Sequence, residues 1–246
     1  MRQRNIKNLE ERIADNSGYR IEDPRVCRGH WQEIFGNDHP IFLEIGCGKG
    51  NFITAHAEQE PDCNFIACEG QASVVLRALE KAEAKQMKNL RIFIDYVHDL
   101  EDYFEPGEIA GVYLNFSDPW PKARHAKRRL TYHKRLQNYK KVLQPDGFIE
   151  FKTDNDGLFQ FTLEEIEQCG YPIIEMTRDL HGSGTDDPQS QTEKPAENAE
   201  TGNTGSPHPA QPAQTGVHAA KSRRFLTEYE AKFSSRGKNI NFVHIG

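Results

Sequence analysis

At 246 residues with a formal net charge of −6, the chain is long enough to bury its own core, and its five cysteines, odd in number and without a C-x-x-C pair, argue against a disulfide framework or a zinc knuckle. The segment from Met1 to Lys7 is charged but no apolar region follows it, and no run is long enough to cross a bilayer, so a soluble protein of a reducing cytoplasm is expected, with no metal and no membrane partner. The acidic sum hides an uneven distribution: between Pro119 and Pro145 there is no Asp or Glu against nine Lys and Arg, and such a face attracts phosphate locally at a Debye length of about 8 Å.

Residues 1–38 mix charges with Trp31, Ile34 and Phe35 and read as an N-terminal extension that covers a sheet or reaches a partner; Arg2, Arg4 and Lys7 lie at its frayed end. From Pro40 the pattern changes. A short apolar strand over 41–45 runs into Gly46-Cys47-Gly48-Lys49-Gly50, which opens a helix over 51–60. A strand over 64–69, a helix over 72–87, and strands over 90–95 and 109–114 follow. The last of these discharges into Asn115-Phe116-Ser117-Asp118-Pro119-Trp120-Pro121-Lys122, and a basic helix is expected from there to Leu143. Pro145-Asp146-Gly147 turns into a strand over 148–152, then come a helix over 157–168 and a strand over 171–177.

Strand and helix alternate, which predicts an α/β fold: a doubly wound, mostly parallel sheet of seven strands, Rossmann-like, whose last strand, over 239–245, is antiparallel. Between Gly182 and Ser222 the only large apolar residue is Val217, so this stretch is expected to be a disordered low-complexity insertion. The expected organisation is one domain formed by residues 39–181 and 223–246, with a short helix over 225–233 after the insertion.

Three constellations carry chemistry. In Glu44-x-Gly46-x-Gly48-x-Gly50, alternate glycines let backbone approach a ligand at a helix start; Asn51 stands where a dinucleotide fingerprint needs its third glycine, and Gly50 follows Lys49 where a phosphate loop needs Ser or Thr. Glu69, about 20 residues on at a strand end, is placed to accept the hydroxyls of a ribose. Asp118, stiffened by Pro119 and Pro121, stands at the exit of the fourth strand, where open sheets bind ligands.

The acid two residues before Gly46 resembles the first motif of class I S-adenosylmethionine-dependent methyltransferases. Asp118-Pro119-Trp120-Pro121-Lys122 with Arg124-His125-x-Lys127-Arg128-Arg129-Leu130 resembles the bacterial tRNA (guanine-N7-)-methyltransferase family. Phe35-Gly36-Asn37-Asp38, the segments 104–108 and 151–155, and Thr227-Glu228-Tyr229-Glu230 match family segments in family order. The resemblance implies S-adenosylmethionine as cofactor, held by Glu44, the three glycines, Glu69 and Asp118, and a guanine of the tRNA variable loop as substrate. It implies that Asp118 is catalytic, and that Lys122, Asp154 and the 227–230 segment contact tRNA; the acid-free basic face adds Arg128 and Arg129 as expected phosphate contacts. Where members carry an Asp near the adenine, this chain has Tyr96, with Asp95 next to it and Asp99 three on. Thr227-x-x-Glu230 also has the spacing of a helix capping box. Methylation of an exocyclic amine, a non-catalytic RNA-binding role on the same scaffold and, more distantly, an NAD oxidoreductase are the alternatives. The missing Pro-Pro-aromatic, the intact acids, and Asn51 with the basic face count against them in turn.

Overall fold

A computed structural model describes residues 6–181, 227, 230 and 239–246. The expected insertion, Arg2 and Arg4, Glu228, Tyr229 and most of the helix expected over 225–233 lie outside the described residues. The N-terminal part contributes α1 (Leu9–Ala14), β1 (Arg20–Ile21) and α2 (Trp31–Phe35). Then β2 (Ile41–Ile45), α3 (Asn51–Gln59), β3 (Asn64–Cys68), α4 (Ala72–Lys85) and β4 (Leu90–Phe93) form the first half of the domain. The second half is β5 (Ile109–Asn115), α5 (His133–Val142), β6 (Leu143–Thr153), α6 (Asp156–Cys169), β7 (Ile173–Thr177) and β8 (Asn241–Ile245).

The strands make one sheet in the order β1-β4-β3-β2-β5-β6-β8-β7. All neighbours from β1 to β6 are parallel, and β8 is antiparallel to both β6 and β7. The sheet therefore has eight strands rather than the seven expected; the extra one is β1, two residues that pair with Ile92 and Phe93 at the edge and are too short to leave a period in the sequence. Both faces are covered, which is why the strands read as continuous apolar runs. In β2, Ile41, Leu43 and Ile45 enter one core with Trp31 and Tyr139, while Phe42 enters the other with Phe52 and Phe65. Trp31 anchors the N-terminal part: it is fully buried, stacks on Phe104 and donates from Nε1 to the Tyr103 carbonyl at 2.9 Å.

The continuous basic helix expected after Asp118 is not formed. Residues Ala123–Arg128 make a 3₁₀ turn, Arg129 and Tyr132 are extended, and α5 starts at His133. Two side-chain anchors break the helix: Thr131 shares a hydrogen bond of 2.7 Å with Thr162 of α6, and Glu165 of α6 accepts from the His133 amide, where a helix start favours an acid. No helix among the described residues is long and apolar enough to cross a membrane.

Candidate active site

The chain leaves β2 for α3, β3 and β4 on one side, then returns to β5 on the other, so β2 and β5 flank the point where strand order reverses. Ligand crevices of open sheets form there, beyond the strand C-termini. Five strand ends deliver side chains to this rim: Glu44 with the glycine loop from β2, Glu69 from β3, Asp95 and Tyr96 from β4, Asp118 from β5, and Lys152 to Asp154 from β6.

Gly46, Gly48 and Gly50 all have positive φ, between 57° and 78°. At Gly50 the requirement is also spatial, since a Cβ there would stand 2.5 Å from the Ala78 Cβ on α4. Glu69 ties the loop down: its carboxylate accepts from the Gly48 amide at 3.1 Å and from the Gln71 amide at 3.0 Å. Beneath the loop, Glu44 is 2% exposed and accepts from Asn115 Nδ2 at 2.9 Å. Its Oε2 meets no donor at full hydrogen-bond geometry among the described residues, although the nearby Ile53 amide pulls the carboxyl's pKa down. Burial pushes the Glu44 carboxyl up to about 7, against the downward pull of the Asn115 hydrogen bond and the Lys152 charge.

At the third corner Tyr96 is exposed, with its ring against Gly70: a Cβ on Gly70 would be 2.3 Å from the ring. Asp95 faces the N-terminal part, accepting from Tyr103 Oη at 2.8 Å and from Arg25 at 3.2 Å. Asp118 is exposed at the rim, and its carboxylate makes no hydrogen bond or ion pair with another described residue. The loop around it is held in an unusual shape, since Phe116 (φ 50°) and Trp120 (φ 42°) are both left-handed without being glycine. Acids at Glu44, Glu69 and Asp118 around a glycine cradle repel polyphosphate and suit a cationic ligand that carries hydroxyls.

The basic residues beyond Asp118 divide into two sets. Lys122, Arg124, Lys127, Arg128 and Lys134 are exposed, and the Arg128 guanidinium lies 4.8 Å over the Trp120 ring. Of the others, Arg135 donates to the Val97 carbonyl, Arg129 turns inward to backbone carbonyls, and Lys141, exposed as well, pairs with Glu101 at 2.6 Å. For Lys141 the acid missing from this stretch of sequence is supplied by Glu101 from another element.

Thr227 and Glu230 form the capping box their spacing predicts: the Glu230 amide donates to Thr227 Oγ1 at 2.9 Å, and the Thr227 amide to Glu230 Oε2 at 3.2 Å. Glu230 is fully buried, 2.7 Å from His181 Nε2 and 3.8 Å from the equally buried Lys152 Nζ, so its carboxylate is spent within the protein. Asp154 is half-buried just past β6. Asn115 and Lys152 escaped the reading of the sequence. For Lys152 the signal was the period of two in β6, which puts Glu150 and Lys152 on one face of a buried strand.

Comparison with known proteins places these features in context. Residues 38–206 match the family described as "Putative methyltransferase". A tRNA (guanine-N(7)-)-methyltransferase of Lactococcus lactis subsp. cremoris is 41% identical over 98% of this chain and 95% of its own length. Its counterpart in Streptococcus equi subsp. zooepidemicus is 46% identical over 98% of this chain and 97% of its own. Among solved structures, an antibiotic-related methyltransferase shares the fold with a TM-score of 0.53 at 13% identity, over 88% of this chain and 92% of that one.

Proposed function

From the membership of this chain in the tRNA (guanine-N7-)-methyltransferase family, a class I S-adenosylmethionine-dependent group, we propose that it methylates N7 of a guanine in tRNA, the variable-loop guanine in particular, in the cytoplasm. The observation that carries this reading is the exposed carboxylate of Asp118, unpaired among the described residues, on a stiffened loop between an acid-lined glycine cradle and a basic face.

The residues fit the cofactor. The unpartnered Oε2 of Glu44 and the Cβ-free cradle of Gly46, Gly48 and Gly50 suit the cationic methionine part, and Glu69 the ribose. Tyr96, with its exposed ring, and Asp95, which is anchored by Arg25 and Tyr103, belong to the adenine side. Bound S-adenosylmethionine supplies an electrophilic methyl group. Guanine N7 carries a lone pair and no proton, so no residue has to act as a general base. Asp118 instead positions the base and sets a fixed negative charge beside the purine as it becomes cationic. Lys122 and Arg128 meet tRNA phosphates, Asp154 and Thr227 lie at the substrate side, and Glu228 and Tyr229 belong to the same contact. Glu230 holds that segment in place through its capping box and Lys152.

Residues 39–181 and 223–246 act as one catalytic domain, and 182–222 as an insertion it does not need. The test is incubation of the protein with unmodified tRNA and labelled methyl donor, followed by cleavage at alkali-labile N7-methylguanosine. Cleavage at one guanine, retained when residues 183–220 are deleted, is expected. Label in an alkali-stable nucleotide would point to an exocyclic amine, and binding of tRNA without transfer to a non-catalytic role.

A further inference from the structure

Arg128 and Arg129 are adjacent in sequence, yet the structure gives them opposite surroundings. Arg128 is exposed over Trp120. Arg129 turns back under the loop that carries Asp118: its Nε donates to the Pro119 carbonyl at 3.0 Å and a terminal nitrogen donates to the Trp120 carbonyl, also at 3.0 Å. The guanidinium carbon lies 4.1 Å over the Phe161 ring of α6, so one face is covered while two edges are spent on backbone.

The loop needs such a hold. Asp118 sits between two non-glycine residues of positive φ, Phe116 and Trp120, and backbone of that kind persists only where its surroundings fix it. At its start, the Phe116 amide donates to the Lys152 carbonyl of β6 at 2.9 Å. At its far end the carbonyls of Pro119 and Trp120, the two residues after Asp118, both converge on one side chain.

We propose that Arg129 is a positioning residue for Asp118, a two-point clamp between α6 and the catalytic loop, and not a phosphate contact. The proposal rests on the reading of Asp118 as the catalytic carboxylate. A planar fork reaches two carbonyls at once, which an ammonium does not, so lysine would keep the charge and lose the clamp. The consequence is a division of labour: Arg128 sets affinity for the polyanion, and Arg129 sets the rate once substrate is bound.

The experiment compares wild-type protein with Arg129→Ala, Arg129→Lys and Arg128→Ala. It reads the single-turnover rate of tRNA methylation at saturating tRNA and donor, the salt dependence of tRNA binding, and acrylamide quenching of tryptophan. Of the two tryptophans, Trp31 is fully buried, so the quencher reports on Trp120. A displaced catalytic group costs up to about a hundredfold, and both Arg129 variants should lose at least about tenfold in rate. Their salt slope should match wild type while Trp120 quenching rises, and added guanidinium, but not equal KCl, should restore part of the rate in Arg129→Ala. Arg128→Ala should flatten the slope by about one phosphate contact instead. A wild-type rate in Arg129→Lys, or a flattened slope in Arg129→Ala, would overturn the clamp. Should Arg129→Ala not fold, Arg129→Lys decides alone. A wild-type protein that transfers no methyl to tRNA defeats the functional reading instead, and the quenching comparison still tests the clamp.

Discussion

At the scale of single residues the site depends on carboxylates whose surroundings differ. Glu44 lies in the interior with one oxygen on Asn115 and the other without a full hydrogen bond among the described residues, and burial raises its carboxyl from 4.5 to about 7. A carboxyl raised by folding binds its proton more tightly in the folded chain. Its contribution to stability is therefore complete below about pH 4.5 and is lost as pH climbs to about 7, a change of about 3 kcal/mol. Replacing Glu44 with the neutral isostere in Glu44→Gln should remove that loss: urea denaturation across this range should give a flatter stability profile than wild type. Parallel profiles would mean that Glu44 stays ionised in the folded protein. That Glu44, Glu69 and Asp118 come to one rim was legible in the sequence because each stands on or just past a strand beside the crevice. Arg129 was not. One-dimensional charge counting cannot tell an arginine over Trp120 from its neighbour beneath Pro119, since the difference lies in a loop twisted by two left-handed residues.

At the scale of elements, the parallel strands and the helices between them follow from apolar periodicity, and α3, α4 and α6 begin and end within about two residues of expectation. The basic segment departed because its helix signal was interrupted by contacts from another element: Thr162 and Glu165 on α6 capture Thr131 and His133 and restart the helix at α5. The two-residue strand β1 was invisible for want of length. Between β6 and the capping box, Lys152 and Glu230 are both fully buried, and His181 joins Glu230 from the far side of β7. Removing one member of a buried pair leaves a charge the interior does not solvate. Glu230→Gln keeps a residue competent for the capping box and deletes only the charge, and it should cost about 3 kcal/mol in urea denaturation. A loss below about 1 kcal/mol would show that Lys152 is neutralised by other groups, with the Glu44 carboxyl the first to examine.

At the scale of the whole molecule, the sheet gathers at one rim residues that are far apart in the chain: Glu44 from β2, Glu69 from β3, Tyr96 beyond β4 and Asp118 beyond β5. The strand order, with β2 and β5 at the reversal, puts the glycine cradle and the Asp118 loop side by side, and the Asn115–Glu44 hydrogen bond joins their bases. This assembly was legible from the alternation of strand and helix together with the motifs at the strand exits. The sequence did not reveal that Arg129 and Arg135 of the basic stretch are spent on backbone carbonyls, while Lys122, Arg124, Lys127, Arg128, Lys134 and Lys141 stay exposed. The central claim is that a fixed negative charge at Asp118, not proton abstraction, drives methylation of N7. Its most direct test is the single-turnover rate of Asp118→Asn at saturating tRNA and S-adenosylmethionine, measured against pH. The account predicts a rate lower by about a hundredfold or more, as when one preorganised electrostatic group is lost, with tRNA affinity unchanged. A variant that turns over at the wild-type rate would contradict it.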